Sequence, residues 1–211
     1  MMPVRQTHYE ESLADYSNLS STIALLKQHR PYLEMLPSLR RADESLVILP
    51  LPVARVKQSA SSTSGGVSSI PPLELRQLPC DLAILMCDPD WKVKAGIEIF
   101  VFIHRPQEEL SDLLNRWRQT QVWLDRGYQW ELPPHQRHIL GEEANDLHPL
   151  FILFPETPDR IKRGLKGACL PFVVRAVTGA GESEVPVVAQ DSQILEEIED
   201  WESGLFPEGN S

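Results

Sequence analysis

The chain has 211 residues, 42% of them apolar and 24% charged, and a formal net charge of -10. That balance excludes a wholly disordered chain, a collagen-like repeat and a small disulfide-stapled scaffold. No apolar run approaches the roughly 18 residues that span a bilayer, and the polar N-terminus shows no secretory signal, so the expected compartment is the cytoplasm.

Taken in chain order, residues 1–44 read as a helical segment. Leu13, Tyr16, Leu19, Ile23 and Leu26 recur near helical spacing, with Ser20 or Ser21 as a cap and Pro31 as a stop and restart. Residues 45–189 read as one mixed α/β domain. Ser45 to Lys57 is apolar and β-branched, but Pro50 and Pro52 each remove a ladder donor, which predicts an edge or irregular strand. Residues 58–69 hold almost no apolar side chain and two consecutive glycines, which predicts a flexible loop.

Leu82 to Cys87 is a short apolar run, and Val93 to His104 alternates with period two. Its second face begins polar at Lys94 and Glu98 and turns apolar at Phe100 and Phe102, as in a strand entering an interior. A helix is predicted from about Pro106 to Arg126, with Leu110, Leu113, Leu114, Trp117 and Leu124 inward and Gly127 closing it. Tyr128 to His148 is ambiguous, with a short strand ending at Trp130 and a polar helix from His135 as one reading. The clearest unit follows: a strand at Leu150 to Phe154, a helix capped by Thr157 and ended at Gly167, and a parallel strand at Leu170 to Val177. Val185 to Ala189 reads as a last short strand. The expected fold class is therefore α/β, or mixed α+β, with one central mixed sheet and a βαβ unit near its C-terminal end.

Charge is unevenly placed. Residues 1–60, 61–130 and 131–211 contribute +1, -2 and -9, and after Gly181 there are nine acids and no Lys or Arg. Such a balance disfavours nucleic acid as a partner, whose phosphates demand a basic surface, and favours a basic protein partner. No membrane partner is expected. Within residues 190–211, Ile194, Leu195, Ile198, Trp201 and Leu205 follow helical spacing among carboxylates, making an acidic amphipathic helix with Trp201 as an anchor. Arg160, Arg163 and Lys166, with Lys162, crowd one short predicted helix as the complementary basic patch. These residues are the candidate partner-binding set.

Candidate chemistry is thinner. Asp88-Pro89-Asp90 offers two hard oxygen ligands at a strand end, although Asp-Pro also suits a type I turn. His135, His138, Glu142, Glu143, Asp146 and His148 form the densest ligand-capable run, but match no metalloprotease spacing. Restriction-type nucleases place an Asp before a strand bearing Glu-x-Lys; here the strand reads Glu98-Ile99-Phe100, so the lysine is missing and that family is not assigned. There is no G-x-S-x-G elbow, and Cys80, Cys87 and Cys169 contain no CxxC pair and read as small buried apolar residues in a reducing compartment. The turn at Pro155 to Asp159 lacks the glycines of a phosphate loop, and no cofactor is expected.

Two function classes follow. The leading expectation is a non-catalytic adaptor, assembly or regulatory protein acting through protein contacts, with the acidic helix as docking element. The alternative is a metal-dependent hydrolase or nuclease built on Asp88, Asp90, Glu98 and the His135–His148 run. A small-ligand sensor at the strand ends of the βαβ unit is a weaker third.

Overall fold

The computed structural model describes residues 4–29, 41–57, 73–87, 94–132, 134 and 146–176. Helix α1 (Gln6–Tyr16) and helix α2 (Leu19–His29) form the N-terminal pair. Their junction is set by Asn18, whose side-chain oxygen accepts the Ser20 backbone N–H at 3.1 Å, so Asn18 is the cap and the two serines expected in that role are not. The short helix α3 (Ala42–Ser45) leads into β1 (Leu46–Pro50).

The proline-punctuated stretch makes two strands. Leu51 takes a φ of 45°, which bends the chain between the prolines, and β2 (Val53–Lys57) leaves for a different sheet. As Pro50 predicts, β1 is an edge strand. Then come β3 (Leu73–Gln77), β4 (Leu82–Cys87) and β5 (Lys94–Ile103). Helix α4 (Leu110–Leu124) starts later than Pro106 suggests. Gln107 stands at φ 62°, which no helix continues through, and Glu109 caps α4 in a reciprocal box with Asp112. Its other end is as expected, with Gly127 at φ 88°.

The chain continues through β6 (Tyr128–Trp130), β7 (Asp146–Leu153), α5 (Asp159–Gly167) and β8 (Phe172–Val174). Pro158, not Thr157, occupies the cap of α5, and no side chain closes that end. At the far end, Leu170 N–H bonds Leu165 C=O and Cys169 N–H bonds Lys166 C=O, a Schellman ending with Cys169 in the left-handed position at φ 53°. Gly167, expected in that role, remains helical.

Five strands form the central sheet in the order β1-β4-β5-β7-β8, and three form a second sheet in the order β3-β2-β6. The first two ladders of the central sheet are antiparallel, while β5–β7 and β7–β8 are parallel, so the expected βαβ unit is present. The small three-stranded sheet is absent from the sequence reading. Strand alternation assigns the two cores. On one face Ile84, Ile99, Val101 and Ile152 meet Leu25 and Leu26 of α2. On the other, Phe100, Phe102 and Phe151 meet Leu113 and Trp117 of α4, Ile161 and Leu165 of α5, and Ala54 and Val56 of the small sheet. The central strands are thus covered on both sides, which is why Phe100 through Ile103 are wholly buried. Among the described residues no helix is long and apolar enough to cross a membrane.

Candidate functional site

The carboxyl ends of parallel strands are where α/β sheets ordinarily hold ligands. Here β5 and β7 end together, and their register runs from Ile97 opposite Asp146 to Ile103 opposite Ile152. Asp81, just before the antiparallel β4, arrives at the same end and is fully buried.

Both carboxylate oxygens of Asp81 are engaged. Oδ1 accepts the Arg105 Nη2–H at 2.7 Å and the Tyr9 hydroxyl at 2.9 Å. Oδ2 accepts the Ile103 backbone N–H at 2.7 Å and an Arg116 Nη2–H. Arg116, itself buried on α4, spends its other donors on Pro79 C=O at 2.9 Å, Ile103 C=O at 3.2 Å and Glu108 Oε1 at 3.1 Å. Its guanidinium also lies 5.4 Å above the Phe102 ring centroid. Glu108 turns back to accept the Arg105 backbone N–H at 2.9 Å. One cluster therefore ties α1, β4, the end of β5 and α4 together.

His104 continues the cluster toward β7. Its Nε2 lies 3.0 Å from Glu108 C=O, an acceptor only, so Nε2 carries the proton and donates. Nδ1 then accepts the Thr157 hydroxyl at 3.1 Å, and Thr157 Oγ1 accepts the Phe154 N–H at 2.9 Å. This explains why Thr157 does not cap α5. His8 of α1 pairs with Glu156 over the Phe154 ring.

Electrostatics follow from this packing. Burial first, and then the Asp81 charge, raise the Tyr9 phenol above its ordinary pKa. For Arg105 burial works to lower the pKa, but the charge and hydrogen bond of Asp81, with Tyr9 and Glu108, together outweigh it and the guanidinium ends higher than usual. Cys80, beside Asp81, is pushed up chiefly by burial, so its thiol resists forming the thiolate a nucleophile needs.

A second buried carboxylate, Glu98, sits in the middle of β5. Tyr128 OH donates to Oε2 at 2.6 Å and Trp130 Nε1–H donates to Oε1 at 2.9 Å, so this acid pins the small sheet to the central one. Its burial shows that the face expected to stay polar from Lys94 through Glu98 is already inside at Glu98.

The sequence candidates fare unequally. Arg160, Arg163 and Lys166 do share α5, whose inner side is anchored by the fully buried Ile161 and Leu165. Arg160 bonds Glu109 at 2.5 Å, while Arg163 and Lys166 are exposed and no described carboxylate pairs with them. Ile194, Leu195, Ile198, Trp201 and Leu205, with the strand expected at Val185 to Ala189, lie outside the described residues. So do Asp88, Asp90, His135, His138, Glu142, Glu143 and the loop at 58–69. Of the supposed metal set, Glu98, Asp146 and His148 fall within described strands, and the two whose side chains are described, Glu98 and His148, do not converge. Glu98 shares a face with Phe100 and Phe102, whereas the alternation of β7 puts His148 on the face of Leu150 and Ile152. Among the described residues no group of three or more His, Cys, Asp or Glu could hold a metal ion. Cys80 is buried as expected, but Cys169 is exposed because the left-handed turn after α5 carries it out of the core.

Sequence reasoning missed the whole Asp81 cluster. A lone Asp after Pro79-Cys80 looks like a turn residue, and Arg116 looks like the solvated side of α4; neither signals that the other is its partner. Comparison with protein-family models, with curated proteins and with solved structures finds no match to this chain.

Proposed function

We propose that this chain is a non-catalytic adaptor or regulatory protein that works through protein contacts, with the acidic segment 190–211 as its docking element and the basic face of α5 as an internal competitor for it. The observation that carries this reading is the state of α5. Two apolar residues hold it down, and Arg163 and Lys166 are left facing outward with no described counter-charge. The chain's own unbalanced acids all follow that helix in sequence. Electrostatic complementarity of this kind sets specificity and association rate more than affinity.

A second observation agrees. At the strand ends that serve enzymes as a ligand crevice, polar side chains are here engaged with one another in the Asp81–Arg116–Glu108 and His104–Thr157 contacts. Both crossover helices also pack on the same face of the sheet, so among the described strands no reversal of order opens a cleft between them.

The partner is a basic protein with an apolar groove that receives Trp201. Affinity capture with the full chain, with Trp201→Ala and with the Arg163→Glu/Lys166→Glu double variant tests the reading at low and moderate salt. Salt-sensitive recovery of one basic protein, lost with Trp201→Ala and increased by the α5 double variant, supports it. Equal recovery by all three forms contradicts it.

A further inference from the structure

The outer edge of the small sheet has a pattern that the docking segment does not explain. Strand β3 pairs with β2 on one side, Val53 opposite Gln77 through Lys57 opposite Leu73, and no described strand lies on its other side. Its alternation is reversed relative to the sheet it belongs to. Leu73 and Leu75 share the outward face of Arg55 and Lys57 and are 40% and 58% exposed, while Glu74 and Arg76 lie on the side of Ala54 and Val56.

The hydrogen bonding is equally ordered. Leu78 N–H donates to Pro52 C=O, so the alternation of an antiparallel ladder directs the backbone of Glu74 and Arg76 to β2. The N–H and C=O groups of Leu73, Leu75 and Gln77 therefore point away from the sheet.

We infer that β3 is a self-complementary edge, and that a second copy of this chain pairs with it antiparallel about a two-fold axis through Leu75, giving a continuous six-stranded sheet. In this register Leu75 faces Leu75 of the second copy, and Leu73 faces Gln77. Each of these is a pair whose backbone groups are free to exchange hydrogen bonds. Glu74 then falls opposite Arg76, twice, in the non-hydrogen-bonded positions where side chains come closest. Within one chain these two already form an ion pair at 2.9 Å, so the dimer joins two such pairs into a square of alternating charge.

Charges on the inner side of an edge strand ordinarily discourage pairing. Here they discourage every register except the one that sets Glu against Arg. Leucine burial on the outer face and an isologous interface complete the fit.

Sedimentation velocity on the full chain across a broad concentration range tests this. The expected result is reversible dimerisation that Glu74→Arg or Arg76→Glu each weakens about tenfold or more. An equimolar mixture of those two variants restores it, because the first carries two arginines along this face of β3 and the second two glutamates, and the register sets each arginine against a glutamate. Leu75→Lys, at a site too exposed to threaten folding, sets like charges across the axis and also abolishes the dimer. A wild-type chain that stays monomeric throughout overturns the proposal. So does association that survives Leu75→Lys, or a variant mixture that remains monomeric.

Discussion

Replacing Asp81 by alanine removes the acceptor on which four donors converge, and the cost can be worked out leg by leg. The Arg105 leg is small, because that side chain is 42% exposed and surface ion pairs contribute little. The Tyr9 hydroxyl is a neutral donor worth about 1 kcal/mol. The Arg116 leg dominates. Its side chain is 10% exposed and the Asp81 side chain is wholly buried, so the substitution strands a buried cation; breaking such a pair costs about 3–5 kcal/mol. The Ile103 N–H loses its carboxylate in the same step. Since these terms are not additive, the expected total is about 4 kcal/mol, or a fall in Tm of roughly 8–16 °C for a chain of this size. Urea and thermal unfolding of wild type, Asp81→Ala, Arg116→Met and the double variant measure it. Arg116→Met removes the stranded charge, so the double variant should cost less than the two singles combined by about 2 kcal/mol or more. A loss below about 1 kcal/mol for Asp81→Ala, or strictly additive singles, would refute the assignment of this cluster as the lock between α1, the sheet and α4.

The remaining predictions are narrower. Tyr9 has its folded pKa raised by burial and by Asp81, so the stability it lends is whole below pH about 10 and drains away as pH rises through the folded value; Tyr9→Phe should cost about 1 kcal/mol at neutral pH and flatten the alkaline slope in denaturation series. Cys169→Gly should stabilise the chain by about 0.5–1 kcal/mol, since glycine occupies the left-handed position after α5 without strain; a lower midpoint in urea would contradict that. Thiol labelling followed by peptide mass spectrometry should modify exposed Cys169 quickly and Cys80 only on unfolding. Gly164→Ala should destabilise by about 1 kcal/mol despite its better helix propensity, because the new Cβ would stand 2.2 Å from Leu110 Cδ2; a gain in stability would mean that Leu110 turns aside freely.

Apolar patterning was enough to find the central strands and α4, while α5 was marked by the turn residues at its two ends. Leu82 to Cys87 and Leu150 to Phe154 are continuous apolar runs because both faces of those strands are covered, and the alternation that leads into Ile103 marks a strand whatever its partner is. The unevenness of charge was legible for the same reason: a count needs no coordinates. Local capping was less so. Thr157 reads as a cap until His104, 53 residues away, competes for its hydroxyl, and the split between β1 and β2 comes at the bend where Leu51 takes a left-handed φ.

What only the tertiary structure decided is how polar groups far apart in sequence share a buried site. Asp81 and Arg116 are separated by 35 residues, and Glu98 is 30 from Tyr128; none of these carries a periodic signature. Hydrophobic burial acts on each residue separately and so leaves a repeating trace in the chain. A buried hydrogen bond is satisfied by one particular partner, and that partner is fixed only when the strands are laid side by side.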